Sequence, residues 1–215
     1  MLPLIFELGF MQSTYIETQQ ISFEDFKNQI LEDYKLGRIS REASYLARRE
    51  VLTGKAKFGI VGDGKELPQL AMAKVFRNGD FRSGYYRDQT FALAIEALTI
   101  ESFFAQLYAD TSVEREPASA GRQMNTHLAT RSLNEDGSWK NLMKMKNISS
   151  DISPTAGQMP RLLGLALASN IYKEISFEGS EKFSNQGNEI AFGTIGDAST
   201  AEGHFWETLN AACAL

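Results

Sequence analysis

Residues 190–210 read Ile-Ala-Phe-Gly-Thr-Ile-Gly-Asp-Ala-Ser-Thr-Ala-Glu-Gly-His-Phe-Trp-Glu-Thr-Leu-Asn. The apolar or small opening, with β-branched Ile190, Thr194 and Ile195, predicts a short buried strand. Phe205, Leu209 and Cys213 recur at i, i+4 and i+8, one face of a helix, which places Cys213 in the core. A strand that runs straight into a helix presents the helix's first N–H groups at the carboxyl edge of a sheet. That edge attracts phosphate through backbone donors and the helix dipole. A carboxylate beside a phosphate repels it unless a cation lies between them. Asp197 in this turn therefore points to a divalent metal, and Mg²⁺ suits an oxygen ligand that bridges to phosphate. An ordinary strand–turn–helix, with Asp197 or Ser199 as N-cap, stays open as the alternative.

Composition narrows the class. The 215 residues are enough for one large domain or two small ones, and 43% hydrophobic with 23% charged residues is a globular balance. A net charge of −5 argues against a nucleic-acid surface, which needs a basic stripe. The lone cysteine excludes an intrachain disulfide and fits a reducing compartment. Residues 1–11 are apolar but lack a basic flank, are interrupted by Glu7, and are too short to span a bilayer. The reading is a cytoplasmic protein with no membrane segment, Met11 lying nearer its true start.

Ser22 opens a helix with Phe23, Phe26, Ile30 and Tyr34 on one face and Asp25 at the capping-box position. Gly37 is expected to close it, and Ser40 to cap a second helix toward Thr53-Gly54. Residues 1–56 are thus a helical segment preceding a domain at 57–215. The glycine-rich run 58–64 lacks both the Walker spacing and a strand leading in, so it reads as scaffold. Residues 81–87 predict an aromatic strand ending at Tyr86-Arg87, where Arg87 either pairs with Asp88 or reaches a phosphate. Residues 89–110 predict two helices broken near Thr99, with Phe103, Phe104 and Leu107 inward. The loop 112–153 is long enough to be functional. It carries Gly-Arg-Gln-Met-Asn-Thr-His at 121–127, and His127 is one of two histidines. Ser-Pro-Thr-Ala-Gly-Gln-Met-Pro at 153–160 opens a helix over 162–172 whose small and apolar residues suit burial on both sides, and 174–188 reads as a surface excursion.

Taken together, five of these segments resemble thiamine diphosphate-dependent 2-oxo acid dehydrogenase alpha components, of the branched-chain (2-oxoisovalerate) and pyruvate types. They are the glycine-rich run ending at Glu66, Tyr86-Arg87, the pair of segments 121–127 and 153–158, and the turn 196–203. Ala198 stands where the family has Gly. Thr155 replaces an aliphatic residue, and Gly157 replaces a Thr at the turn where the family builds a potassium site. The second half of the cofactor motif, a downstream Asn pair, does not occur before Leu215.

The resemblance implies an α/β fold, a parallel sheet flanked by helices with the ligand at the strands' carboxyl ends, incomplete at its C-terminus. It implies that Asp197 ligates Mg²⁺, that Gly196, Ala198 and Ser199 contact the diphosphate, and that Tyr86 and Arg87 hold its terminal phosphate. Ser153 and Thr155 would bracket the aminopyrimidine, His127 would line the substrate channel or be a satisfied structural histidine, and Glu66 would lie near the site entrance. The implied activity is oxidative decarboxylation of a 2-oxo acid, leaning to branched-chain acids. The implied partners are a beta component or a fused beta half, a lipoyl acyltransferase component, and further copies in an oligomer. The stretch 131–146 reads as an insertion anchored by Trp139. The chain is expected to be an amino-terminal fragment, inactive alone. A transketolase-type enzyme and a non-catalytic binding subunit are the other readings; two histidines are few for sugar-phosphate chemistry.

Overall fold

A computed structural model describes residues 21–215; what was read from residues 1–20 lies outside the described residues. The chain begins with α1 (Phe23–Leu52), whose N-cap Ser22 accepts the Asp25 N–H at 3.1 Å and donates to the Asp25 carboxylate at 2.7 Å. The expected pair of helices is one continuous helix of 30 residues. Ser40 does not cap, because its hydroxyl is buried 2.7 Å from Thr90 Oγ1 and accepts from Gln89 Nε2 at 3.0 Å. Gly37 does not terminate, because a mid-helix glycine costs only about 1 kcal/mol relative to alanine. It also faces the next helix, where a Cβ would lie 3.6 Å from Leu70 Cδ1.

The face that α1 buries is not the aromatic one. Phe23 is 79% exposed and Tyr34 67%, whereas Ser40, Ala43, Ser44 and Ala47 are buried. Small residues at i, i+3, i+4 and i+7 let the neighbouring backbone approach closely, and the first turns of the helix reach out past that contact. α2 (Glu66–Val75), α3 (Gln89–Ala94) and α4 (Ile100–Leu107) pack against this stripe. The break near Thr99 is as expected: Thr99 and Ser102 form a reciprocal capping box. Phe103 and Leu107 point into the core with Phe91, Leu98, Leu128 and Ile148, and Phe104 packs on its margin.

Three short strands, β1 (Phe81–Arg82), β2 (Asn147–Ile148) and β3 (Ala191–Phe192), form a parallel sheet in the order β2-β1-β3. Phe81 is in register with both Asn147 and Ala191, so all three strands end at one edge. Phe192 sits edge-on to Phe76 and Phe91 at 5.4 and 5.5 Å, fixing the sheet to the helical layer. α5 (Gln158–Glu174) and α6 (Gly203–Ala214) pack on each other, and α5 also packs on β3. The fold is α/β, as expected, but the strands are shorter than the apolar runs that announced them. α5 buries only Gln158 and Met159, and Cys213 is exposed instead of in the core. Trp139 does anchor its loop, packing edge-on to Phe183 at 5.2 Å. No helix among the described residues is long and apolar enough to cross a membrane.

Candidate functional site at the carboxyl edge of the sheet

The reason β1 stops after two residues is also what builds the site. Arg82 is fully buried, and its guanidinium donates to Asp88 at 2.7 and 2.9 Å, to Asp151 at 3.1 Å and to the Tyr85 carbonyl at 2.9 Å. A charge that deep is tolerable only when paired and hydrogen-bonded. Satisfying it folds residues 83–88 into a turn under β1. Asp88 also accepts from the Thr194 hydroxyl, and Asp151 accepts the Leu128 N–H at 3.1 Å. One buried cation therefore ties together the segments that carry Tyr86-Arg87, His127, Ser153 and the turn after β3.

Above this base the residues read from the sequence fall into linked groups. Tyr86 stacks on His127 with ring centroids 5.7 Å apart and planes within 14°. His127 is buried, with Nε2 3.0 Å from Ser153 Oγ and Nδ1 3.3 Å from the Asn125 carbonyl. A carbonyl can only accept, so Nδ1 is the donor to Asn125, and Nε2 shares a hydrogen with the Ser153 hydroxyl. Tyr86, Thr155 and Ser199 line one narrow crevice with Tyr85, Pro154, Ala156 and Gln158; its interior of about 10 Å³ is the room of a single water. A larger cavity of about 410 Å³ adjoins it through Ile152 and Pro154 and is lined by Arg122, Met124, His127 and Ser153.

Arg87 and the turn after β3 meet through Tyr85. Arg87 Nε donates to the Tyr85 hydroxyl at 2.8 Å, and that oxygen lies 3.2 Å from where a Cβ on Gly196 would stand. Arg87 Nη1 donates to the Val61 carbonyl at 3.0 Å, and a Cβ on Gly62 would be 2.5 Å from the Arg87 carbonyl oxygen. The glycine-rich run thus borders the site through Val61 and Gly62. Glu66, expected near the entrance, turns toward α1 instead and takes both prongs of Arg41 at 2.6 Å, which holds its carboxyl down at about 2.

β3 does not pass directly into α6. Asp197–Ala201 forms a 3-10 turn first, closed by Ser199 N–H to the Gly196 carbonyl at 3.0 Å, so the N–H groups of Asp197 and Ala198 precede its first bond. Ser199 is buried, while Asp197 and Ala198 are exposed. Among the described residues no three His, Cys, Asp or Glu side chains gather around a metal position, so Asp197 stands as a lone carboxylate. Ser153 and Thr155 are exposed, and the Thr155 carbonyl accepts from His204 Nε2 at 2.7 Å.

Three participants were not singled out from the sequence: Arg82, Tyr85 and His204. Gln158 is buried and donates to the Thr194 carbonyl at 2.8 Å. Tyr85 had a signal, adjacency to Tyr86-Arg87. Arg82 and His204 had none, since Asp151 and Thr155 are remote from them in the chain; Gln158 stood in the family-like turn, although its partner Thr194 is 36 residues away. Another cavity, about 480 Å³, lies at the opposite ends of the strands, beside Asp80 and Glu189, and contains none of the candidate site residues read from the sequence.

Comparison with known proteins follows the same residues. The 2-oxoisovalerate dehydrogenase subunit alpha of Bacillus subtilis (strain 168) is 29% identical over 178 residues, covering 82% of this chain and 44% of that protein. The chain thus spans less than half the length of this curated relative. The family described as "Dehydrogenase E1 component" matches residues 34–215, from within α1 through the sheet, both cofactor-like turns and α6. With a match of that extent, the chain belongs to the dehydrogenase E1 component family.

Proposed function

We propose that this chain is the part of a 2-oxo acid dehydrogenase that grips the diphosphate arm of thiamine diphosphate, in a domain spanning residues 57–215 that α1 precedes. The observation that carries the reading is convergence. Tyr86, Thr155 and Ser199, drawn from three segments up to 113 residues apart, line one crevice, and Arg87 reaches the Gly196 turn through one tyrosine hydroxyl.

The donor set fits a diphosphate. Arg87, the hydroxyls of Tyr86 and Ser199, and the N–H groups of Gly196, Asp197 and Ala198 surround the end of the sheet with donors. A lone Asp197 fits Mg²⁺ better than zinc, because magnesium keeps waters and takes only one or two carboxylates when phosphate oxygens complete its shell. Ser153 and Thr155, on the exposed turn before α5, would bracket the aminopyrimidine. The crevice is too narrow for a ring as it stands, so that turn and Tyr86 must separate to admit one. When bound, thiamine diphosphate supplies the carbanion and the electron sink. His127, held by Ser153 and Asn125, would then line the substrate chamber beside Tyr86.

The activity we assign is oxidative decarboxylation of a 2-oxo acid, an oxidoreductase reaction on an oxo group. The printed name of the Bacillus relative supports branched-chain acids as substrates. The family match supports the dehydrogenase over a transketolase-type enzyme. Such a chain works with a beta component, separate or fused, with a lipoyl acyltransferase, and in an oligomer. Titration calorimetry of the full-length assembled protein with thiamine diphosphate and Mg²⁺ tests the reading. Saturable binding that disappears when the metal is chelated is expected; absence of binding overturns it.

A further inference from the structure

Tyr85 is placed where the sequence-derived site has a gap. Its hydroxyl oxygen accepts from Arg87 Nε at 2.8 Å, and a guanidinium can only donate, so the phenol's own hydrogen is directed elsewhere. Among the described residues no acceptor receives that hydrogen. The oxygen faces the Gly196 turn closely: a Cβ there would stand 3.2 Å away, tighter than an ordinary contact. Ser199 shares the crevice with Tyr85, and the N–H groups of Asp197 and Ala198 precede the turn's first bond. The uncommitted phenol donor therefore joins other donors at this turn.

Arg87 makes the same point from its own side. A guanidinium that grips an anion with two parallel prongs uses neighbouring N–H groups. Here Nε is held by Tyr85 and Nη1 by the Val61 carbonyl at 3.0 Å, leaving Nη2 as the prong without a protein partner among the described residues. Gly62 packs against the Arg87 carbonyl with no room for a Cβ, which fixes the backbone from which this side chain extends.

We infer that Tyr85 is a phosphate-binding residue of this chain, its hydroxyl providing to the terminal phosphate of the cofactor the second donor that Arg87 cannot. The inference rests on the diphosphate-site reading above. Accepting from a cation strengthens the phenol as a donor. Replacing the hydroxyl by hydrogen removes the donor and leaves the ring packed where it is.

The test is a ratio of affinities, measured by calorimetry on the full-length assembled protein with Mg²⁺. The probes are thiamine diphosphate and thiamine monophosphate, for the unmodified protein and for Tyr85→Phe. We expect the preference for the diphosphate over the monophosphate to fall at least fivefold in Tyr85→Phe, with monophosphate affinity within twofold and an unchanged melting temperature. An unchanged ratio overturns the inference while the diphosphate-site reading stands. An equal loss of both affinities also overturns it, since that marks a general loosening of the site. Should Tyr85→Phe melt early, Tyr85→His, which keeps a ring and a donor, must restore the ratio at least in part, and failure to do so counts against the inference. If the unmodified protein binds neither probe, the site reading itself falls, and this inference with it.

Discussion

His204 Nε2 donates to the carbonyl oxygen of Thr155 at 2.7 Å, so the first turn of α6 is tied directly to the turn that opens α5. Neither residue is close to the other in sequence, yet the bond joins the two turns to which the sequence assigned opposite ends of one cofactor. His204→Ala removes a bond at a half-exposed position, which costs about 0.5–1.5 kcal/mol of stability. Its larger effect is expected on the cofactor: thiamine diphosphate binding should weaken severalfold in calorimetry, because the 153–156 turn is no longer held against α6.

Asp197→Asn tests the metal. The carboxylate is exposed and lies outside the core, so its loss should leave the melting temperature within about 2 °C, as surface substitutions usually do. Cofactor affinity in the presence of Mg²⁺ should fall at least tenfold and become nearly independent of the metal. An affinity equal to that of the unmodified protein removes Asp197 from the site.

Arg82 gives the strongest stability prediction. Removing one partner of a buried ion pair strands the other, at about 3–5 kcal/mol, and here two carboxylates are stranded at once. Arg82→Leu should lower the unfolding free energy obtained from denaturant titration by that order. Adding Asp88→Asn and Asp151→Asn should recover part of the loss, because neutral amides tolerate burial better than lone anions.

Acid stability should respond to Glu66. The Arg41 guanidinium across from it holds its carboxyl below 4.5, at about 2 in the folded chain. The pair's contribution is full above about pH 4.5 and disappears as pH falls toward 2, where the folded state must also take up the proton. Arg41 is one-third exposed, so screening reduces the effect to about 1–2 kcal/mol. Glu66→Gln should lose that amount at neutral pH, and urea midpoints measured from pH 5 to pH 2 should fall less steeply than in the unmodified chain.

Gly62→Ala is a steric test of the Arg87 mount. Its Cβ would stand 2.5 Å from a backbone carbonyl oxygen, which cannot rotate away as a flexible side chain would. A destabilisation of about 1–3 kcal/mol is expected from such crowding, together with weaker cofactor binding as Arg87 is displaced. Normal binding would show that Arg87 is not held from this side.

What could be read from the sequence was local. Ser22 and Thr99 announced helix starts because their hydroxyl partners lie three residues away. Ser40 misled because its partners, Gln89 and Thr90, come from another helix, and a serine that looks like a cap was in use elsewhere. The apolar face of Phe23, Phe26, Ile30 and Tyr34 predicted burial, yet α1 packs through Ser40, Ala43, Ser44 and Ala47, which no hydrophobic count would favour. β2 was hidden inside a polar loop because two residues are too few for any period to show. At the site, the phosphate-like turn and Tyr86-Arg87 were visible as motifs. Their mutual placement was not, since it depends on an arginine–aspartate pair 69 residues apart and on a tyrosine with no motif of its own.

The buried guanidinium of Arg82 has a consequence for how this sequence can diverge. Two acids share one base in the interior, so losing Arg82 leaves two buried carboxylates without their counter-charge, whereas losing either aspartate still leaves a one-to-one pair. Descendants of this chain can shed one of the aspartates singly, but can shed Arg82 only together with its acids or by passing through a destabilised ancestor. Arg82 should therefore be the last of the three positions to change.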